Sequence, residues 1–328
     1  MNLVISRHQE AASPLLQPTG AAQECAEARR PPRLFPAFRI MKNILVPTDF
    51  SPEAHHAFEV AVRLAGRTGG RVTLLHALEL PETAGFSTYG GPVGGSELPN
   101  SSGGVEEVYA LKLLQVTKHR MADLVAEAAR LAPTVPVRDM VQTSRVGSAI
   151  LQVIDEQGID LVVMGAQGHT AIEYFFLGSN TERLVRTAPC PVLTVKHPAG
   201  PFEVRTLLFP SDFSAEADRA VPELHRVRAV FPDATLHLLH IVADAHQRQN
   251  ALDTIDAFAT RHQLKNYKPA VVVAPRPAEA IPQFVKLVEA DLVLLPTHGR
   301  TGLSRLLQTS IAETVATQSF PPVLTFRL

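Results

Sequence analysis

Residues 160 to 195 read DLVVMGAQGHTAIEYFFLGSNTERLVRTAPCPVLTV, and the spacing of apolar runs and glycines in this stretch decides the fold. Leu161 to Met164 form a short apolar run without alternation, as expected of a parallel strand covered on both faces. Gly165 ends the run. A residue without a Cβ lets the backbone approach a ligand closely at that point, and Gly168 frees a second point of the same loop. Gly178 and Ser179 follow, and Ser179-Asn180-Thr181-Glu182 has the spacing of a capping box, with Ser179 as N-cap and Glu182 as its reciprocal partner. The helix it opens carries Leu184, Val185 and Ala188 and ends near Pro189. Unpaired amides in its first turn, at the positive end of the helix dipole, would offer an anion site beside the glycine loop.

Outward from this unit the chain alternates strand and helix patterns. Ile44 to Pro47 reads as a strand. Thr48-Asp49-Phe50-Ser51-Pro52-Glu53 is its exit, with Ser51 as N-cap, Pro52 at the first helical position and Glu53 in the first turn. A helix through Ala57, Phe58, Ala61, Leu64 and Ala65 precedes a strand from Val72 to Leu78. The glycine- and proline-rich segment Pro81 to Gly104 is too long for a plain connection and is expected to be mobile or a lid. A helix (about 105–131), a strand (135–141) and a helix (148–157) lead back to Asp160.

The pattern then repeats. Leu207-Leu208-Phe209-Pro210-Ser211-Asp212-Phe213-Ser214 matches Ile44 to Ser51, Leu238-Leu239-His240 matches Leu74-Leu75-His76, and Asp291 to Leu295 matches Asp160 to Met164. Alternation of this kind predicts α/β architecture with parallel sheets, as two tandem domains. Pro222 should kink or shorten the second copy's first helix. In that copy Gly299 keeps the place of Gly168, and Ser310-Ile311-Ala312-Glu313 keeps the capping spacing. Pro296 replaces Gly165 and Thr309 replaces Gly178. A helix start is therefore expected there without the anion cradle, leaving a degenerate second site.

Composition narrows the function classes. The chain has 328 residues, 45% of them hydrophobic and 19% charged, with a formal net charge of -1. Nothing in this balance favours nucleic acid or an anionic membrane as a partner. No apolar run approaches the roughly eighteen residues of a membrane span. Cys25 and Cys190 cannot build a disulfide framework, which points to a reducing, cytoplasmic compartment. Residues 1–40 hold five prolines and no sustained period. They read as a disordered leader, or as sequence upstream of a true start at Met41.

The spacing Gly165-x2-Gly168-x9-Gly178-Ser179, the opening MKNILVPTDFSPEA and the close APCPVLTV resemble the universal stress protein family, in two copies from about Met41 onward. The resemblance implies a first domain at 41–197, a linker at 198–205 and a second domain at 206–328. Each would be an open five-stranded parallel sheet of order 3-2-1-4-5 with helices on both faces. It implies ATP in the first domain, with Mg²⁺ accompanying the phosphates. Pro47, Thr48, Asp49 and Ala77 would line the adenine and ribose side. Met164, Gly165, Gly168, His169, Gly178, Ser179, Asn180 and Thr181 would hold ribose and phosphates. It also implies pairing of the last strands, 191–195 and 323–326, into an internal pseudo-dimer, with further homodimerisation and a signalling partner to be identified.

Plain structural roles compete at several positions. Asp49 can cap the helix that follows, and Asp212 persists where the cradle is broken. His169 can be a solvated loop residue. His76 and His240 read as core or strand-end hydrogen-bonding residues, His55 and His56 as helix surface, and Cys190 as a buried inert thiol. There is no P-loop lysine motif, no dinucleotide fingerprint and no clear general base, so binding is favoured over turnover. An ATP-independent scaffold and a slow ATPase are the alternatives.

Overall fold

The computed structural model describes residues 41–78, 103–166, 179–197, 202–297, 315, 316, 319 and 321–328. The expectations for residues 1–40, for most of the 81–104 loop, for Gly168, His169, Gly178, Gly299 and Thr309, and for the second capping box lie outside them.

The first half runs β1 (Asn43–Pro47), α1 (Pro52–Thr68), β2 (Arg71–Ala77), α2 (Gly103–Leu131), β3 (Val137–Gln142), α3 (Val146–Gln157), β4 (Leu161–Gly165), α4 (Ser179–Thr187) and β5 (Val192–Val195). The second half runs β6 (Thr206–Pro210), α5 (Val221–Val230), β7 (Thr235–Val242), α6 (Arg248–Arg261), β8 (Tyr267–Val273), α7 (Pro277–Leu287), β9 (Leu292–Thr297) and β10 (Val323–Arg327). Strand edges differ from the expected ones by a residue or two, as element ends do.

All strands join one ten-stranded sheet ordered β3-β2-β1-β4-β5-β10-β9-β6-β7-β8. Each half is parallel with the expected 3-2-1-4-5 order. The halves meet where β5 and β10 pair antiparallel, Leu193 opposite Leu324. Thr194 Oγ1 donates to the Val323 carbonyl and Thr325 Oγ1 to the Val192 carbonyl, each at 3.2 Å. These buried hydroxyls thus have partners, as burial demands. The apolar edge strands cover one another, which removes the exposed edges each would otherwise present.

Helices pack both faces, and both cores cross the seam. One face gathers Ala57, Phe58 and Met121 with Leu224, Phe209 and Phe258. The other gathers Ile150, Val153 and Leu184 with Ile281 and Val285. Arg67 of α1 lies 5.0 Å over the Phe231 ring of the second half. The repeated aspartates have a backbone role. Asp160 accepts from the amides of Lys42 and Asn43 at 3.1 and 2.9 Å, and Asp291 from those of Arg205 and Thr206 at 2.8 and 2.9 Å. Each thereby ties the start of its half's first strand to the start of its fourth.

Pro222 shortens the second copy's first helix. A 3₁₀ turn, Ala217–Ala220, occupies the opening, and α5 begins at Val221 with Pro222 in its first turn. There the missing proline amide leaves no intrahelical bond unmade.

Candidate functional site

The carboxyl ends of β1 and β4 lie side by side where the strand order reverses, the position at which open α/β sheets bind ligands. A cavity of about 320 Å³ opens there. Pro47, Thr48, Asp49, Ala77, Met164, Gly165, Asn180 and Thr181, all named from the sequence, line it together. The backbone of Ser179 opens α4. Gly168, His169 and Gly178 lie outside the described residues.

The β1 exit is held by its own side chains. Phe50 has φ 64°, a left-handed conformation that costs a non-glycine residue about 1 kcal/mol or more. Two short bonds offset that cost: Thr48 Oγ1 accepts from the Phe50 amide at 3.0 Å, and Asp49 Oδ1 from the Ser51 amide at 2.9 Å. Ser51 is the N-cap of α1, its Oγ accepting from the Ala54 amide at 3.2 Å. Those three amides are therefore engaged within the turn.

Gly165 is also constrained from the side away from the loop. A Cβ built on it would stand 2.6 Å from the Glu53 carbonyl carbon and 2.7 Å from the Ala54 nitrogen. The glycine is required because the first turn of α1 lies directly on the end of β4. Thr181, buried, donates to the Gly165 carbonyl at 3.3 Å and ties α4 to the same point.

The sequence reading missed Ser51, Glu53, Ala54, Leu75, His76, Val146 and Ile150 as lining residues. Their signal was positional: each sits at a strand's carboxyl end or in the helical turn that follows one. His76 Nδ1 lies 2.8 Å from the Thr48 carbonyl. A carbonyl only accepts, so Nδ1 carries the proton, and the strand-end hydrogen-bonding role holds for this histidine. Its ring also stands 4.7 Å from that of Phe50.

The second half repeats the hollow. Pro210, Ser211, Asp212, Leu239, His240, Leu295 and Pro296 are among the residues lining a cavity of about 240 Å³. Phe213 has φ 54°, with Ser211 and Asp212 making the same two turn bonds at 3.1 Å each. The walls are more apolar: Ile241 stands for Ala77, Pro277 for Val146 and Pro296 for Gly165, and Leu328 closes one side. Pro296 lines this cavity together with Ala217, the first residue of the 3₁₀ turn, whereas Gly165 lies under a regular α-helical turn. His240 departs from the expected role, since its Nδ1 is buried with no partner among the described residues. Burial lowers its pKa, offset in part by Asp212.

The universal stress protein family pattern matches residues 41–196 and again 203–327. The chain belongs to the universal stress protein family. It is 26% identical over 301 residues to a universal stress protein of Synechocystis, covering 88% of this chain and 100% of that protein. The crystal structure of a universal stress protein from Archaeoglobus fulgidus is similar with a TM-score of 0.64 at 18% identity, covering 88% of this chain and 98% of the other. A functionally unknown protein from Pseudomonas aeruginosa aligns with a TM-score of 0.56 at 17% identity over 88% of this chain and 92% of its own. Both likenesses are of fold.

Burial acts on two groups outside the cavity lining. The Lys196 ammonium, just after β5, is pushed down to about 8 by burial, and Nζ donates to the Ser319 carbonyl at 3.2 Å. Burial raises the Cys190 thiol to about 12, so it carries almost no thiolate at neutral pH and is inert, as expected. No helix among the described residues is long and apolar enough to cross a membrane.

Proposed function

We propose that this tandem universal stress protein binds ATP in its first-half cavity and acts as a nucleotide-dependent stress-response or signalling module in the cytoplasm. The observation that carries the reading is the convergence of Pro47, Thr48, Asp49, Ala77, Met164, Gly165, Asn180 and Thr181 on one cavity at the strand-order reversal. They come from four separate stretches of sequence and were named on a nucleotide motif.

Mg²⁺ fits the charges. Asp49 and Glu53 line the cavity, and among the described residues no lysine or arginine does. A bare triphosphate would meet two carboxylates with no side-chain cation against them, so a divalent ion is needed to neutralise it. The same shortage argues for binding over turnover, because phosphoryl transfer relies on positive groups placed at the developing charge.

The second cavity lacks a glycine at the Pro296 position and carries Ile241 where the first has Ala77. That difference supplies the test. The nucleotide released on denaturing purified protein, and calorimetry with Mg-ATP, are compared for the wild type and Ala77→Ile. This variant places in the first cavity the residue the second half already carries at that register. About one adenine nucleotide per chain is expected, with affinity reduced about tenfold or more by Ala77→Ile at unchanged melting temperature. A wild type that binds no Mg-ATP, or binding untouched by Ala77→Ile, overturns the assignment.

A further inference from the structure

The contact between α1 and α2 carries a cluster that lies outside the cavity lining. His55 and Glu59, four residues apart on α1, share one face of that helix. Glu127 of α2 faces them. Its two carboxylate oxygens stand 2.9 and 3.0 Å from His55 Nε2. One ligand atom from each of His55, Glu59 and Glu127 lies within 4.8 Å of the others, and all three residues are partly buried.

Charge makes this more than an ion pair. His55 can satisfy one carboxylate, and it already has Glu127. Glu59 makes no ion pair or hydrogen bond to another described residue, so a second carboxylate is held beside the first without a cation of its own. The second half closes the corresponding helix contact differently. Asp218 stands at the register of His55, with Arg261 NH2 at 2.7 Å and His262 Nε2 at 2.8 Å, and Pro222 occupies the register of Glu59. There one carboxylate meets a guanidinium and an imidazole. In the first half two carboxylates meet one imidazole, and among the described residues no guanidinium or ammonium pairs with either.

We propose that His55, Glu59 and Glu127 form a binding site for a single divalent transition-metal ion, Zn²⁺ first among them, between α1 and α2 and separate from the nucleotide cavity. One imidazole nitrogen with two carboxylate oxygens suits Zn²⁺, which takes such ligands at about 2.0–2.2 Å and so holds them about 3–4 Å apart. Small side-chain rotations bring a 4.8 Å cluster to that spacing. The nitrogen donor disfavours Mg²⁺ and Ca²⁺, which take oxygen ligands. Half-exposure of His55 leaves room for water at the remaining positions. Binding would replace the His55–Glu127 hydrogen bond by two metal bonds, recruit Glu59 and clamp the two helices together.

The test uses the full chain, freed of metal with a chelator and kept without nucleotide. Titration with Co²⁺, followed by its visible absorption, and displacement by Zn²⁺ give affinity and stoichiometry. One ion per chain is expected. Glu59→Gln and Glu127→Gln should each weaken it about tenfold or more, while their melting temperatures in chelator stay close to the wild type's. A second measurement needs no variant: modification of histidines by diethyl pyrocarbonate, mapped by mass spectrometry. Zn²⁺ should protect His55, and Mg²⁺ at the same concentration should not. Equal Zn²⁺ binding by the wild type and the Glu59→Gln/Glu127→Gln double variant, or His55 modified alike with and without Zn²⁺, overturns the site.

Discussion

Gly165 and Glu53 are so close that a Cβ on the glycine would stand 2.6 Å from the Glu53 carbonyl carbon. The neighbours are backbone atoms of a helical turn, which cannot swing aside as a side chain could. Gly165→Ala should therefore shift α1 or β4 and destabilise the fold by about 1–3 kcal/mol, the usual cost of overpacking. Urea or thermal unfolding checks this against Gly66→Ala, where the nearest atom to a new Cβ is 3.6 Å away and helix propensity favours alanine by up to about 1 kcal/mol. The control should be neutral or stabilising. Equal stability of Gly165→Ala and wild type would contradict the close packing. Loss of nucleotide in a Gly165 variant would by itself report on folding, so the binding test is better placed at Ala77.

Asp49 and Asp212 separate turn-holding from ligand-holding. Each accepts from the amide two residues on, at 2.9 and 3.1 Å, beside a phenylalanine with positive φ. Asp49→Ala and Asp212→Ala should thus destabilise by similar amounts, about 1 kcal/mol each. Under the ATP reading only Asp49→Ala should also weaken Mg-ATP in calorimetry. If both variants bind like the wild type, the aspartate is a turn residue alone.

Lys196 yields a pH dependence with a definite sign. Burial lowers its pKa in the folded state to about 8, against about 10.4 in the unfolded chain. Below pH 8 both states hold the proton, and the folded state bears the full cost of a buried ammonium. Between pH 8 and about 10.4 the unfolded state binds more protons, so this group's contribution to stability rises with pH by up to about 1.4 kcal/mol per pKa unit. Lys196→Met, which removes the charge and keeps the apolar stem, should be more stable than the wild type at pH 7. Its advantage should shrink as pH is raised through that window, read as the difference in unfolding free energy. A gap that stays constant would mean the ammonium is not penalised in the folded state.

Much of the fold was legible because the chain states it twice. Unalternating runs such as Leu161 to Val163 mark strands buried on both faces, and Ser51-Pro52-Glu53 marks a helix start whatever packs around it. Comparing the copies also singled out Gly165 and Pro296 as a difference that matters. The packing of α1 on Gly165 is a second constraint that the spacing does not show. Sequence spacing places Gly165 in a loop facing a ligand, but says nothing of which backbone segment lies 2.6 Å away on the other side. His76 and His240 look alike in sequence, yet Nδ1 of the first finds the Thr48 carbonyl and Nδ1 of the second finds no hydrogen-bond partner among the described residues.

The sequence by itself determined the repeated α/β alternation, the turn chemistry after the first strand of each half, and the set of residues at the strand ends. All three rest on local interactions: apolar period, N-cap bonds two or three residues apart, and backbone preferences of glycine and proline. Only the tertiary structure decided the register at which the expected pairing of the last strands sets Leu193 opposite Leu324, that a cavity persists beside Pro296, and that Glu127 of α2 closes on His55 and leaves Glu59 unmatched among the described residues. Those outcomes depend on segments far apart in sequence meeting at ångström distances, set by the packing of helices on the sheet rather than by the preferences of any one segment.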